Sequence, residues 1–411
     1  MKYLQNRTQN KLWTTDFVIL LFMSFFNMFC MQFNTASLAP WVSAIGLSSS
    51  YTGLFTLCFT LPSIVGCFVW GRLSQKTGRR VIILTGSLAF GICAAMIPAA
   101  APIVAIIAVL RIIQGVGYSA VNNGMAATQA DVITPERLGE GIGFFGIAQS
   151  ITLVIGPGSA LLVIEHFGFS PVFGVIAALC ILTFILCLLL RVNISASAIR
   201  QSLPDEAPMQ SPTGKGLWLF LEKSSLLPCI FLLLAMAALG STNFYAATYA
   251  ADLGIAGASL FFVIYALADV LTIAAIGKLS DRLPMRLLVL PGMVLSAIGL
   301  FWLSMVESST MFLLSSIPIG VGTGLIVPVI QAAAFRGVPK HRRGMASATY
   351  YVAFDGGMCL GALLWGIVQE QAGFQSVYRG AALLMVLTII VCAVTAMRKP
   401  RTAVIEEADD K

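Results

Sequence analysis

Three ionisable residues stand inside long apolar runs of this 411-residue chain: Arg111, Asp269 and Asp355. A charge at the centre of a bilayer costs about 2.5–3.5 kcal/mol on insertion scales, so such a residue is rarely idle. Burial favours the neutral form of a carboxyl group, and a neighbouring guanidinium favours its ionised form. One base and two acids therefore predict an ion pair plus one acid free to titrate. An acid that moves between those two environments can take up and release a proton. The structural alternative is a static bridge between Arg111 and one aspartate. Gly356 and Gly357 follow Asp355 directly and allow backbone approach or flexibility there.

The elements that position these residues follow from composition. Hydrophobic residues make up 58% of the chain and charged residues only 10%, against about 25% charged in a soluble domain. Lipid is the solvent that such a chain fits. A hydrocarbon core needs about 20 apolar residues of helix. Runs of that length fall near 16–38, 50–71, 79–99, 102–126, 140–164, 169–191, 224–247, 257–277, 286–306, 310–334, 344–367 and 374–397. The expected fold class is all-α integral membrane, with twelve transmembrane helices. The first run is expected to be a spanning helix, not a cleaved signal, because it is long and carries Asn27, Gln32 and Asn34. A Ser-, Pro- and acid-containing segment at 192–223 reads as a linker. It divides the chain into 1–191 and 224–411, each with six helices. The part of it that reads Gly216-Leu-Trp-Leu-Phe-Leu221 could lie along the membrane surface.

Charge placement gives orientation. All but two of the 25 Lys and Arg fall at the termini or after the second, fourth, sixth, eighth and tenth helices; the exceptions are Arg111 and Arg379. This positive-inside pattern predicts that both termini are cytoplasmic. The net charge of +7 is thereby accounted for by the membrane, with no nucleic-acid partner. The six tryptophans lie near helix ends, which predicts an interfacial belt. Pro318 and Pro328 predict a kinked tenth helix. Asp16, Glu140 and Glu222 sit near helix starts, where capping or dipole roles suit them. The acidic stretch 406–410 reads as a solvated end.

Several functions are disfavoured. Nine cysteines without a CxxC pair, and only two histidines, His166 and His341, offer neither a metal site nor a disulfide framework. Walker and HExxH motifs are absent. An enzyme is not expected, and no cofactor is implied beyond a proton gradient as energy source.

The chain repeats itself. Residues 71–80 read GRLSQKTGRR and residues 277–286 read GKLSDRLPMR, an offset of 206. Gln114-Gly-Val-Gly117 echoes Ile319-Gly-Val-Gly322, and Pro135 and Gly139 echo Pro339 and Gly344. Duplicated halves around a midplane site are a transporter architecture.

On these motifs the sequence resembles the major facilitator superfamily over essentially its whole length. Gly71, Leu73, Ser74, Lys76, Gly78, Arg79 and Arg80 match the loop signature of that family, with Arg72 at an unspecified position within it and Gln75 where the family has Asp; Gly277, Asp281 and Arg282 form the second copy, with Pro284 where Gly is usual. Leu110-Arg111 to Gly117 resembles the fourth-helix motif, whose Arg is associated with proton coupling. Gly156 and Pro157 resemble the fifth-helix motif of proton-linked exporters, with Thr152 and Ala160 at usual Gly positions.

The resemblance implies a central cavity faced by the first and fourth helices of each half. Asn27, Gln32, Asn34, Gln114, Asn243, Tyr245 and Gln331 are the polar candidates for its wall, with interhelical hydrogen bonding as the alternative role. The expected function is secondary transport of a small organic molecule by alternating access, as a proton-coupled exporter. The alternatives are an uptake symporter for a sugar or other metabolite, and a non-transporting membrane sensor. A monomer in the cell membrane is expected, or in the inner membrane of a two-membrane bacterium.

Overall fold

The computed structural model describes residues 12–47, 50–101, 103–192, 221–255, 258–277 and 279–397. The calls on the linker, on Trp218 and on the acidic stretch 406–410 lie wholly or largely outside them, and so does the side chain of Gln75. The first half holds α1 (Thr15–Ala44), α2 (Ser50–Thr77), α3 (Arg79–Met96), α4 (Val104–Val132), α5 (Leu138–Phe167) and α6 (Ser170–Leu189). The second half holds α7 (Lys223–Asp252), α8 (Ala258–Ile276), α9 (Met285–Leu303) and α10 (Ser309–Phe335). A last helical stretch, Arg343–Met397, breaks at Gly373, whose φ of 75° and ψ of 174° are non-helical. It therefore divides into α11 (343–372) and α12 (374–397). All of these elements are long and apolar enough to cross a membrane, so the described residues contain twelve spans.

Helix ends fall where backbone chemistry requires. Thr14 caps α1 by accepting from the Phe17 N–H at 3.2 Å, and Ser308 caps α10 by accepting from Met311. Gly78 starts α3 at φ 83°, a conformation that side chains resist. Pro318 and Pro328 both lie within α10, which continues through them. In a bundle, neighbouring helices re-satisfy the freed backbone groups.

Close packing repeats at the sequence offset. A β-carbon on Gly86 of α3 would sit 2.7 Å from the Gly117 carbonyl oxygen of α4; one on Gly292 of α9 would sit 3.0 Å from the Gly322 oxygen of α10. Lipid offers no hydrophobic drive between helices, so such small-residue approaches supply the packing attraction. Tryptophans join in this packing. Trp41 and Trp365 are buried, Trp365 donates to the Ala237 oxygen at 2.7 Å, and Trp70 donates to Val116 at 2.9 Å. These three rings thus help to hold helices together, and among the described tryptophans Trp13 is the exposed one.

The halves meet at the face where the basic connections emerge, here the basic face. A β-carbon on Gly71 of α2 would lie 2.9 Å from the Gly344 oxygen at the start of α11. In the mirrored contact, Asp281 accepts from the Gly139 and Glu140 N–H groups at 2.6 and 3.0 Å, at the start of α5, with Gly277 packed against Glu140. A carboxylate suits a helix N-terminus, where N–H groups are unpaired and the dipole is positive. Burial is the largest influence on Asp281 and raises its pKa above the ordinary value, against those two donors and Arg336. Arg282 is exposed.

A second clamp centres on Asp131, at the end of α4. It pairs with the fully buried Arg79 of α3 and, at 2.6 Å, with Arg343 of α11. Arg79 also donates to the Ala127 oxygen at 2.8 Å, and Arg80 donates to the Leu190 oxygen past α6. Glu222 pairs with Arg342 at 2.7 Å as well as meeting Ser224, and Asp16 accepts from the Arg191 N–H at 2.7 Å. Among the described residues all the ion pairs lie on the basic face.

Asp131→Asn leaves Arg79 buried without its counter-charge, a loss of about 3–5 kcal/mol for a buried pair. Spin labels placed across the basic face should move apart in that variant, and its unfolding temperature should fall; an unchanged distance distribution would show that Asp131 does not hold the halves. Gly86→Val should also lower thermal stability, by about 1–3 kcal/mol of overpacking. Gly174→Ala, at a position with no atom within 4 Å, should leave the same melting curve unmoved.

Candidate functional site

A cavity of about 30 Å³ lies between the halves, room for about two waters. From α11 it receives Tyr350, Tyr351, Phe354 and Asp355. From α4 it receives Tyr118, Asn122, Met125 and Gln129, and α1 and α5 complete it with Ser24, Met28 and Gln149. Asp355 is its single carboxylate, and no Lys, Arg or His lines it. Two of its three amides are tied to neighbours: Asn27 Nδ2 donates to Asn122 Oδ1 at 2.7 Å, and Gln129 Nε2 donates to Ser24 Oγ at 2.7 Å. The Tyr118 hydroxyl reaches the Met28 sulfur at 3.6 Å. Tyr350 packs against Tyr351 and Phe354 at ring separations of 5.2 and 6.2 Å. Among the described residues, Asp355 has neither a hydrogen-bond nor an ion-pair partner.

The expected pair between Arg111 and an aspartate is not formed. Arg111 donates to the Phe55 oxygen at 3.3 Å and to Gln114 Oε1 at 3.1 Å, with its guanidinium 5.1 Å from the Phe59 ring centre. A carbonyl, an amide and a π-face stand in for a counter-ion. The physical reason is height: Arg111 precedes Asn122 by eleven residues, about 16 Å along the helix axis, and it turns to α2.

The polar wall candidates are dispersed. Asn27 reaches the cavity through Asn122. Gln32 packs against Gly156, where an added β-carbon would lie 2.7 Å from Gln32 Cβ, so the Gly156-Pro157 element brings α1 and α5 together. Asn34 is buried with neither amide atom bonded, and Gln114 Nε2 is likewise without a partner. Asn243 is exposed and donates to Leu239 of its own helix, Tyr245 donates to the Ala362 oxygen at 2.7 Å, and Gln331 is buried in α10. Arg72 lies on α2 beside Gly71.

Asp269 does a different job. On α8 it accepts from the Ser150 hydroxyl of α5, so this contact crosses between the halves. The repeat offsets relate Ser150 to Asp355 and Asp269 to Ser63, which is buried on α2. The molecule thus carries an acid and a serine at two related places. The pair is joined at Asp269, and no hydrogen bond joins Ser63 to Asp355.

Sequence reasoning missed Asp131 and the aromatic wall. The α4 wall had a signal. Arg111, Gln114, Tyr118, Asn122, Met125 and Gln129 recur at three- and four-residue steps, the spacing of one helix face. Asp131 continues that helix to its basic end.

Comparison with known proteins agrees with this architecture. The family model for the Major Facilitator Superfamily matches residues 20–268 and 229–410. A multi-drug resistance efflux pump PmrA homolog of Lactococcus lactis is 24% identical over 398 residues, covering 94% of this chain and 96% of that protein. The multidrug resistance protein MdtG of Enterobacter lignolyticus is 24% identical, covering 86% of this chain and 84% of its own. Among solved structures, the human organic anion transporter MFSD10 superposes with a TM-score of 0.76 at 13% identity, over 92% of this chain and all of that one. The proton:xylose symporter XylE gives 0.75 at 15%, over 92% and 94%. Twelve apolar spans in two repeated halves, a cavity between them and a family match over almost the whole chain lead to one assignment: this chain belongs to the Major Facilitator Superfamily and is a multi-pass membrane transporter.

Proposed function

We propose that the chain exports a small organic molecule from the cell in exchange for protons, across the cell membrane, with its basic face and both termini on the cytoplasmic side. The observation that carries this reading is Asp355: an unpaired carboxyl in a cavity bounded by both halves. A charge held there without a partner is costly, and binding a proton or a ligand relieves that cost. The clamps at Asp131 and Asp281 hold the basic face shut in this conformation. Rocking of the halves would open that face and present the same carboxyl to the other side.

Export is favoured over uptake by the Gly156-Pro157 element and by the relatives, which are named for drug efflux. The structural likeness to a proton:xylose symporter reflects the fold, and one fold serves both directions.

The test is transport into everted membrane vesicles. An interior-acid gradient should drive accumulation of substrate, and a proton ionophore should abolish it. Asp355→Asn should lower the gradient-driven rate at least about tenfold while the protein still folds and inserts. Gradient-driven flux that is unchanged in this variant would remove Asp355 from the coupling step. Accumulation only under the opposite gradient would make the protein an uptake symporter.

A further inference from the structure

We propose that Arg111, Gln114 and Asn34, buried in the first half, bind a small monovalent anion such as chloride. The Arg111 guanidinium carries its charge inside the bundle and meets only neutral groups: the Phe55 oxygen on Nε, Gln114 Oε1 on Nη1 and the Phe59 ring. Its Nη2 makes no hydrogen bond among the described residues. The titratable group that acts on it electrostatically is the Cys58 thiol of α2, and no carboxylate does. A buried charge is ordinarily paired with an opposite one. Two other side chains of the cluster are also left open. Gln114 Nε2 and both amide atoms of Asn34 are buried without a hydrogen-bond partner.

Helix register brings these groups together. As contacts climb α1 from Ser24 to Asn27 and Met28, they step back along α4 from Gln129 to Asn122 and Tyr118, so the two helices run antiparallel. Asn34 lies about two turns beyond Asn27 on the same face of α1. Gln114 lies about two turns before Asn122, on the α4 face that also carries Tyr118. The register therefore sets Asn34 opposite Gln114, which the Arg111 guanidinium already touches. Open N–H donors then surround one positive charge, and hydrogen bonds from such donors to an ionised acceptor are the strong ones. Water would satisfy the amides and leave the charge uncancelled. Asn34, Arg111 and Gln114 are each no more than 3% exposed, so a compact ion fits better than an organic acid. A single charge also costs less to desolvate than the two of sulfate. Packing does not require the cluster. The offset between Gly117 and Gly322 relates Arg111 to Ser316, Gln114 to Ile319 and Asn34 to Leu239, all buried and uncharged, and the Ser316 hydroxyl bonds its own helix at Leu313. The second half thus closes the same place without a charge. The site lies within the first half, apart from the Asp355 cavity, and serves either direction of transport.

Radiolabelled chloride makes the test. In gluconate buffer of constant ionic strength it should bind the purified full-length protein saturably. Bromide and nitrate should compete with it, and sulfate should not. Arg111→Gln should lower the affinity at least about tenfold. Gln114→Leu and Asn34→Leu should each weaken binding and still melt cooperatively, and they decide the matter if Arg111→Gln does not fold. Arg282→Gln, on the exposed part of the basic face, should bind chloride as the wild type does. A folded wild type without saturable chloride binding would overturn the proposal, because water alone would then fill the cluster. Unchanged affinity in Arg111→Gln, or in both Gln114→Leu and Asn34→Leu, would overturn it as well.

Discussion

A carboxyl group placed deep in a membrane-spanning bundle must be neutralised, hydrated or bound, and the buried Asp269 and the half-buried Asp355 of this transporter meet that demand differently. Asp269 takes a hydroxyl from the opposite half. Asp355 has no hydrogen-bond or ion-pair partner among the described residues and faces a cavity of about 30 Å³. Much of the surrounding architecture follows from leaving that acid unsatisfied. The cavity wall supplies rings, thioethers and amides, two of the amides bonded to neighbouring side chains, and no basic side chain lines it.

The arginines are spent elsewhere. Arg79 and Arg343 converge on Asp131, and Arg342 holds Glu222. These pairs join helices at one face, where partial water access and helix termini make ionic contacts affordable. Arg111 is the exception within the bundle, satisfied by a carbonyl, an amide and a ring. Duplication gave both halves the same glycine contacts, yet their polar chemistry has diverged. Asp281 still sits on the start of α5, while Gln75 occupies the matching loop position of the first half. On the α2–α11 side, Asp131 with its two guanidiniums supplies the ionic contact between halves. The related acid–serine positions diverge in the same way, joined on one side and open on the other.

Helix count, order and approximate ends were legible in the sequence because the bilayer sets span length and permits few interruptions. The break at Gly373 fell where two apolar runs met. The loop glycines Gly71 and Gly277 were legible as related positions because they recur at the repeat offset. The site was legible only in part. Asp355 stood out by type, since an acid in an apolar run is rare. Its lack of a partner was not visible, because charge pairing depends on helix rotation and height. Arg111 lies too far along α4 to meet the cavity, and composition carries no such distance. Tyr118, Tyr350 and Phe354 looked like ordinary apolar residues until the packing of α4 against α11 brought them together. Asp131 lies beyond the fourth apolar run, and only the meeting of three helix ends gives it two arginine partners.

That Asp355 is the group which exchanges a proton is the central claim, and infrared difference spectroscopy on membranes or proteoliposomes reads it directly. The spectrum between acidic and alkaline buffer should contain the carbonyl stretch of a protonated carboxyl that disappears on deprotonation. That band should be missing from Asp355→Asn. The same titrating band at full amplitude in Asp355→Asn would contradict the claim, because the proton would then reside on another group.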